Sequence, residues 1–94
     1  MDTQQLCAKA IDKWGARAQL LMVAEECSEL AVAVLHYERG RDDVGHVAEE
    51  VADVELMLEQ LRMMLRGKYK GFDGLVEAWK ETKWIRLERN LEVK

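Results

Sequence analysis

The chain has 94 residues, of which 49% are hydrophobic and 34% charged, and it contains no proline. These values favour a helical protein and exclude a disordered chain. The length suits a single domain over residues 1–94 whose core a partner would help to complete. A net charge of −4 argues against free nucleic acid as a partner. Without a leader-like segment or an apolar run of roughly 18 residues, we expect a cytoplasmic protein with no membrane attachment.

Charge is unevenly distributed along the chain. Residues 25–59 hold eleven acidic residues against two basic ones, whereas residues 66–94 hold eight basic residues against five acidic ones. The middle of the chain therefore attracts cations, and the C-terminal part is suited to anions. A metal-bound polyphosphate would satisfy both.

Caps, glycines and apolar spacing predict four helices and no strand. The helices span about residues 2–13, 16–39, 43–66 and 75–91. Asp2 or Thr3 caps the first helix, while Gly15 and Gly40 interrupt the chain after the first and second helices. We therefore predict an all-α fold, a helical bundle completed by oligomerisation.

The second and third helices each carry an apolar stripe at helical spacing. The stripes consist of Leu20, Val23, Cys27, Leu30 and Val34, and of Val47, Val51, Val54, Leu58, Leu61 and Leu65. Such stripes are packing seams for other helices, so Cys27 is expected to be a buried thiol. Apolar residues elsewhere, such as Leu56 and Ile85, favour a homodimer or homotetramer, because so small a domain cannot bury them alone.

The same two helices each carry two carboxylates three residues apart. The pairs are Glu26 with Glu29, and Glu50 with Asp53. This spacing places both members of a pair on one helix face, and antiparallel packing of the two helices would set all four along a common border. Gathered carboxylates repel each other unless a hard cation binds them. Oxygen-only ligands suit Mg²⁺, or Mn²⁺ in its place, better than Zn²⁺.

A run of glutamates is also typical of a solvated helix face. Neither acidic motif, however, has the Lys or Arg four residues away that such faces usually carry. The residues alone therefore leave a metal site and a solvated face both open. His36 and His46 fall near the acids, and we expect them at the surface or beside the ligands.

The two motifs in helical context resemble a known family. The segments MVAEECSEL, residues 22–30, and VAEEVADV, residues 47–54, are similar to the signature of the MazG-like all-α nucleoside triphosphate pyrophosphohydrolases. The similarity covers roughly residues 14–66. It implies Mg²⁺-dependent hydrolysis of nucleoside or deoxynucleoside triphosphates between the α and β phosphates, and assembly as dimers or larger oligomers. Carried over, Glu26, Glu29, Glu50 and Asp53 would be the metal ligands.

Two further roles follow from this resemblance. Glu25 projects near Glu29, and Glu49 projects near Asp53, so either can activate the attacking water. We favour Glu25 as the catalytic base, with a surface glutamate that takes no part in the reaction as the alternative. Trp14 lies upstream of the first motif and is a candidate for stacking on the nucleobase, with core or interface packing as the alternative.

Lys83 and Arg86 in the fourth helix are candidates for contacts with the substrate phosphates. Members of the family often have basic residues in this helix. The alternative is a solvated face on which these cations pair with neighbouring glutamates.

A second functional hypothesis belongs to a different class. The chain would then be a non-catalytic helical interaction module, whose apolar seam binds a partner while the acids keep it in solution. Stabilisation by Mg²⁺ with nucleotide is expected for the enzyme and not for the module.

Overall fold

The structure, a computed structural model, describes residues 1–92. The four helices are α1 (Thr3–Trp14), α2 (Ala16–Glu38), α3 (Val44–Lys68) and α4 (Phe72–Glu92). No strand occurs within residues 1–92. The predicted all-α class with four helices is confirmed.

The helices belong to two compact units. The first unit, Met1–Met64, holds α1, α2 and most of α3, and the second begins at Leu65 and holds α4. The carboxylates predicted to bind a metal all lie in the first unit. The predicted single domain over residues 1–94 stays a prediction.

The break between α1 and α2 follows from local chemistry. A capping box begins α1, because the Asp2 side chain accepts from the backbone N–H of Gln5 at 2.8 Å and the Gln5 side chain accepts from that of Asp2 at 2.9 Å. After Trp14, Gly15 adopts φ 89°, a conformation that an L side chain rarely takes. The chain therefore ends one helix and begins the next within a single residue.

The turn between α2 and α3 sets the geometry of the site. Gly40 has φ 74°, and the backbone N–H of Arg41 donates to the carbonyl of His36 at 2.8 Å, which closes the end of α2. Asp43 then caps α3, because its side chain accepts from the backbone N–H of His46 at 2.9 Å. These two caps reverse the chain in a short connection.

Few side chains form the core of the first unit. The buried apolar residues are Cys7, Val23, Ala33, Val54 and Met57. A buried amide pair accompanies them, in which Gln19 donates to Gln60 at 2.6 Å. This pair joins the start of α2 to a late turn of α3, so the two helices run antiparallel.

The apolar stripes are less buried than predicted. Val51 is 38% exposed and Leu58 is 40% exposed, while α3 buries Glu50 and Met57, which each stand one position earlier. The prediction that Cys27 is buried is wrong, since this thiol is exposed in the single chain. Apolar residues cover more than one side of α2 and α3, and one neighbouring helix covers only part of them.

The fourth helix begins earlier than predicted. Helix α4 begins at Phe72, just after Gly71 at φ 90°, and not near residue 75. Asp73 therefore lies in the first turn, where its carboxylate accepts from the side-chain N–H of Arg66 at 2.8 Å. No helix among residues 1–92 combines the length and apolar character needed to cross a membrane.

Candidate metal centre

The antiparallel pairing of α2 and α3 brings the predicted ligands together. One carboxylate oxygen from each of Glu26, Glu29 and Glu50 lies within 4.8 Å of the others, and so does one from each of Glu49, Glu50 and Asp53. Glu50 belongs to both groups. The two groups together comprise five carboxylates of α2 and α3, which we call the carboxylate cluster, although neither group found among residues 1–92 holds all four predicted ligands.

Two oxygens in the carboxylate cluster are buried without a donor. Glu50 is only 6% exposed and Glu26 is half-buried, and the Oε2 atom of each is enclosed with no hydrogen-bond partner among the described residues. Burying an unpaired carboxylate oxygen costs free energy, and buried charges in proteins are normally paired or bound to a metal. A solvated helix face does not bury its acids in this way.

The pKa of Glu26 is raised above its ordinary value. Burial is the main cause, followed by the negative charges of Glu29, Asp53 and Glu50 and by a hydrogen bond with Glu29. Each of these makes the ionised form of Glu26 unfavourable in the metal-free protein. A bound cation would reverse the balance by favouring the ionised ligand.

The donor set fits a hard divalent cation. The cluster offers only carboxylate oxygens, which are the ligands of Mg²⁺ and Mn²⁺. Octahedral ligands at about 2.1 Å from Mg²⁺ stand about 3.0–4.2 Å apart, and the grouped oxygens lie within 4.8 Å. The oxygens of one group thus lie near the spacing that one such cation requires.

The raised pKa of Glu26 predicts how stability depends on pH. A carboxyl with a higher pKa in the folded state contributes stability at low pH that is lost as pH rises through that pKa. In the metal-free protein, Glu26→Gln is therefore expected to raise Tm at pH 7 by a few degrees and to leave Tm nearly unchanged near pH 4. Thermal unfolding in EDTA, followed by circular dichroism across this pH range, measures the difference.

Glu38→Gln is the matched control, because Glu38 is an exposed acid on the same helix, outside the carboxylate cluster. It should not show the growing gain in Tm between pH 4 and 7. A Glu26→Gln protein less stable than the native protein at pH 7 would contradict the repulsion that the cluster implies.

His46 lies at the surface and contacts one carboxylate of the cluster. The ring of His46 contacts Asp42 through Nδ1 and the Oε1 atom of Glu50 through Nε2, the latter at 3.3 Å. The pKa of His46 is raised by its hydrogen bond to Asp42, then by the charges of Asp42 and Glu50, and that of Asp42 is lowered by the same hydrogen bond. The sequence signal for this arrangement was spacing, because His46 lies four residues after Asp42 and four residues before Glu50.

The two candidates for the catalytic base are placed differently. Glu25 is exposed, and neither of the two carboxylate groups found among residues 1–92 includes it. Glu49 is also exposed but joins Glu50 and Asp53 in one group. Of the two candidate bases, only Glu49 thus lies in a carboxylate group with predicted ligands.

Trp14 lines an open groove between α1 and α3. Trp14 is 59% exposed, and the Nζ atom of Lys13 lies 5.5 Å from the centroid of its ring. The groove has a volume of about 690 Å³, and its walls include Leu6, Ala10, Leu56 and the buried Gln60. Gln60 connects this groove to α2 through its hydrogen bond with Gln19.

Two basic residues of α4 lie beside one aromatic ring. The Nζ atom of Lys83 lies 5.8 Å from the centroid of Trp79, and the guanidinium carbon of Arg86 lies 6.0 Å from the same centroid. Both distances are within the range of cation–π attraction. Their predicted role as phosphate contacts stays a prediction.

Comparisons with protein-family models, with characterised proteins and with solved structures found no match to this chain. The case for a function therefore rests on the residues of the carboxylate cluster and their surroundings.

Proposed function

We propose that the protein is a Mg²⁺-dependent nucleoside triphosphate pyrophosphohydrolase of the MazG-like class, acting in the cytoplasm. It would convert nucleoside or deoxynucleoside triphosphates to the monophosphate and pyrophosphate. The observation that carries the proposal is the carboxylate cluster, in which two matched acidic motifs meet and bury unpartnered oxygens. An all-oxygen centre of this kind suits a hydrolysis that depends on neutralising phosphate charge.

The chain's own residues divide the work. Glu26, Glu29, Glu50 and Asp53 would hold the metal, which when bound neutralises the triphosphate and makes a water molecule more acidic. Glu25 would accept the proton of the attacking water. Glu49 is the alternative base, since it stands in the same carboxylate group as Asp53.

Other residues would bind the substrate. Trp14 offers an exposed aromatic face beside an apolar groove, which suits stacking on a nucleobase. Lys83 and Arg86 offer positive charge for the phosphates.

We also propose that the chain acts as a homodimer or homotetramer. Five residues, which we call the apolar face, stand one position after buried or half-buried residues of α2 and α3: Leu20, Cys27, Val34, Val51 and Leu58. One position is a rotation of about 100° in a helix, and in antiparallel helices the same rotation leads to the same side. A second copy of the chain covering this face would bury what one chain leaves exposed.

The first test is release of pyrophosphate from a panel of nucleoside and deoxynucleoside triphosphates with Mg²⁺. We expect turnover that EDTA abolishes and that Mn²⁺ restores. Products should be the monophosphate and pyrophosphate, which chromatography distinguishes from the diphosphate and phosphate of ordinary triphosphatases. Metal-independent turnover, or none on any nucleotide, would contradict the proposal.

The exposed apolar residues also support the second hypothesis, a non-catalytic interaction module. The two hypotheses differ in thermal stability. A ligand that binds only the native state stabilises it, by about 2.7 kcal/mol at 100 times Kd. Mg²⁺ with a non-hydrolysable triphosphate should therefore raise Tm by several degrees if the protein is the enzyme, and leave Tm unchanged if it is the module.

A further inference from the structure

The two oxygens of Glu50 have different environments. Oε1 faces Nε2 of His46 at 3.3 Å, whereas Oε2 is enclosed without a hydrogen-bond partner among the described residues. Only 8% of the Glu50 side chain is exposed, against 45% for His46. The histidine thus reaches inward from the surface to hold one oxygen of a buried carboxylate.

His46 is itself held in place. Its Nδ1 contacts the Oδ2 atom of Asp42. The other carboxylate oxygen of Asp42 accepts from the backbone N–H of Asp43 at 2.9 Å. Asp43 in turn caps the helix by accepting from the backbone N–H of His46 at 2.9 Å. The imidazole is therefore fixed through its ring and through its main chain at the start of α3.

We propose that His46, oriented by Asp42, is a positioning residue for the metal centre. It holds Oε1 of Glu50 so that Oε2 alone is presented to the cation. The inference rests on the proposed function, because it assigns a role at the same metal site. Residues that hydrogen-bond to metal ligands fix the orientation of those ligands and commonly contribute 10–100-fold to affinity.

Protonation of His46 and its contact with Glu50 are expected to change metal affinity in opposite directions. A protonated imidazole beside the carboxylate cluster would disfavour a bound cation, so its removal would strengthen metal binding through charge alone. Loss of the hydrogen bond to Glu50 weakens metal binding through disorder of the ligand. A single His46→Ala substitution mixes the two effects and decides nothing.

Two neutral substitutions separate them. In His46→Gln the amide nitrogen stands where Nε2 of the imidazole stood and can donate to Glu50. In His46→Asn the shorter amide matches Nδ1, so it can reach Asp42 but not Glu50. Both variants replace the titratable imidazole with a neutral amide, so a difference between them reports the contact with Glu50.

The experiment measures Mn²⁺ binding to the full-length native protein and to both variants, by calorimetry and by electron paramagnetic resonance, without nucleotide. We expect His46→Asn to bind Mn²⁺ about 10–100-fold more weakly than His46→Gln does. Circular dichroism and Tm in EDTA confirm that both variants fold. His36→Gln is the control for loss of an imidazole that influences Asp42 electrostatically; it should leave the Kd for Mn²⁺ within about twofold of native.

Each outcome has a distinct meaning. Equal Mn²⁺ affinities of the Gln and Asn variants, with binding intact in the native protein, would overturn the positioning role and leave the metal site standing. No Mn²⁺ binding by the native protein would overturn the proposed function and the positioning role together. Weaker binding by the Gln variant than by the Asn variant would place the important contact at Asp42, and would also overturn the proposal.

Discussion

Glu26→Gln and Asp53→Asn are each expected to lower kcat/KM for the preferred triphosphate by about 10³-fold or more. Both substitutions keep the size of the side chain and remove one ligand charge. Residues that only support a metal ligand commonly contribute 10–100-fold, and a ligand itself should contribute more. The assay is the initial rate of pyrophosphate release over a range of substrate concentrations at saturating Mg²⁺.

A loss of activity could also arise from unfolding. The thermal stability of the metal-free variants distinguishes the two causes. The pKa of Glu26 is raised mainly by burial and further by the negative charges of Glu29, Asp53 and Glu50. Removing the charge of Glu26 should therefore leave metal-free Glu26→Gln at least as stable as the native protein at pH 7. An inactive protein with an unchanged or higher Tm is the signature expected of a functional site that costs stability.

Glu38→Gln is again the matched control for the assay, since it removes one exposed acid from α2 outside the cluster. Its kcat/KM should stay within about twofold of native. If Glu26→Gln and Asp53→Asn also kept activity within tenfold, with the same dependence on Mg²⁺, the carboxylate cluster would not be the catalytic centre. Glu25→Gln and Glu49→Gln in the same series would show which of the two candidate bases the reaction uses.

The convergence of the acids could be anticipated from sequence because it depends on features that sequence encodes. Gly40 and Asp43 end one helix and begin the next, so α2 and α3 must form an antiparallel hairpin. In such a hairpin, residues whose numbers have a constant sum stand opposite each other. Glu29 with Glu50 and Gln19 with Gln60 both have the sum 79, so one register accounts for the carboxylate cluster and the buried amide pair.

The burial of the acidic side chains could not be predicted from the sequence. Hydrophobic periodicity identified Val51 and Leu58 as seam residues, whereas Glu50 and Met57 are the more buried neighbours. Apolar residues on α3 span an arc wider than one neighbouring helix covers, and periodicity does not say which part of that arc faces the neighbour. The burial of Glu50, and with it the contact that His46 makes, depends on that choice.

The exposed apolar side chains of α2 and α3 favour the proposed assembly of two or more copies of the chain. Of the five residues of the apolar face, Leu20, Val34, Val51 and Leu58 are large apolar side chains that the single chain leaves 38–46% exposed. Exposed apolar area arranged along two neighbouring helices is typical of a surface that binds another protein. A face on the hairpin that carries the metal centre would let a second copy stabilise the carboxylate cluster without contributing a ligand.

If the apolar face joins two copies of the chain as proposed, Leu58→Glu is expected to dissociate them. A carboxylate buried without a partner costs several kcal/mol, and each 1.4 kcal/mol changes an equilibrium constant about tenfold, so association should weaken by more than about 100-fold. Analytical ultracentrifugation over a micromolar concentration series measures the change. Leu21→Glu is the control, because Leu21 is 56% exposed on α2 but lies outside the apolar face; it adds the same charge and should leave the mass unchanged.

The proposed metal centre adds a second expected result to this prediction. All five carboxylates of the cluster come from α2 and α3 of one chain, and the apolar face lies on one side of that hairpin. The dissociated Leu58→Glu chain should therefore still bind Mn²⁺, with a Kd within about tenfold of native if it remains helical. A native protein that is monomeric at all concentrations, or a Leu58→Glu protein of unchanged mass, would show that this face does not join two copies of the chain. Loss of Mn²⁺ binding on dissociation, with helicity retained, would instead show that the second copy holds the cluster in its binding geometry.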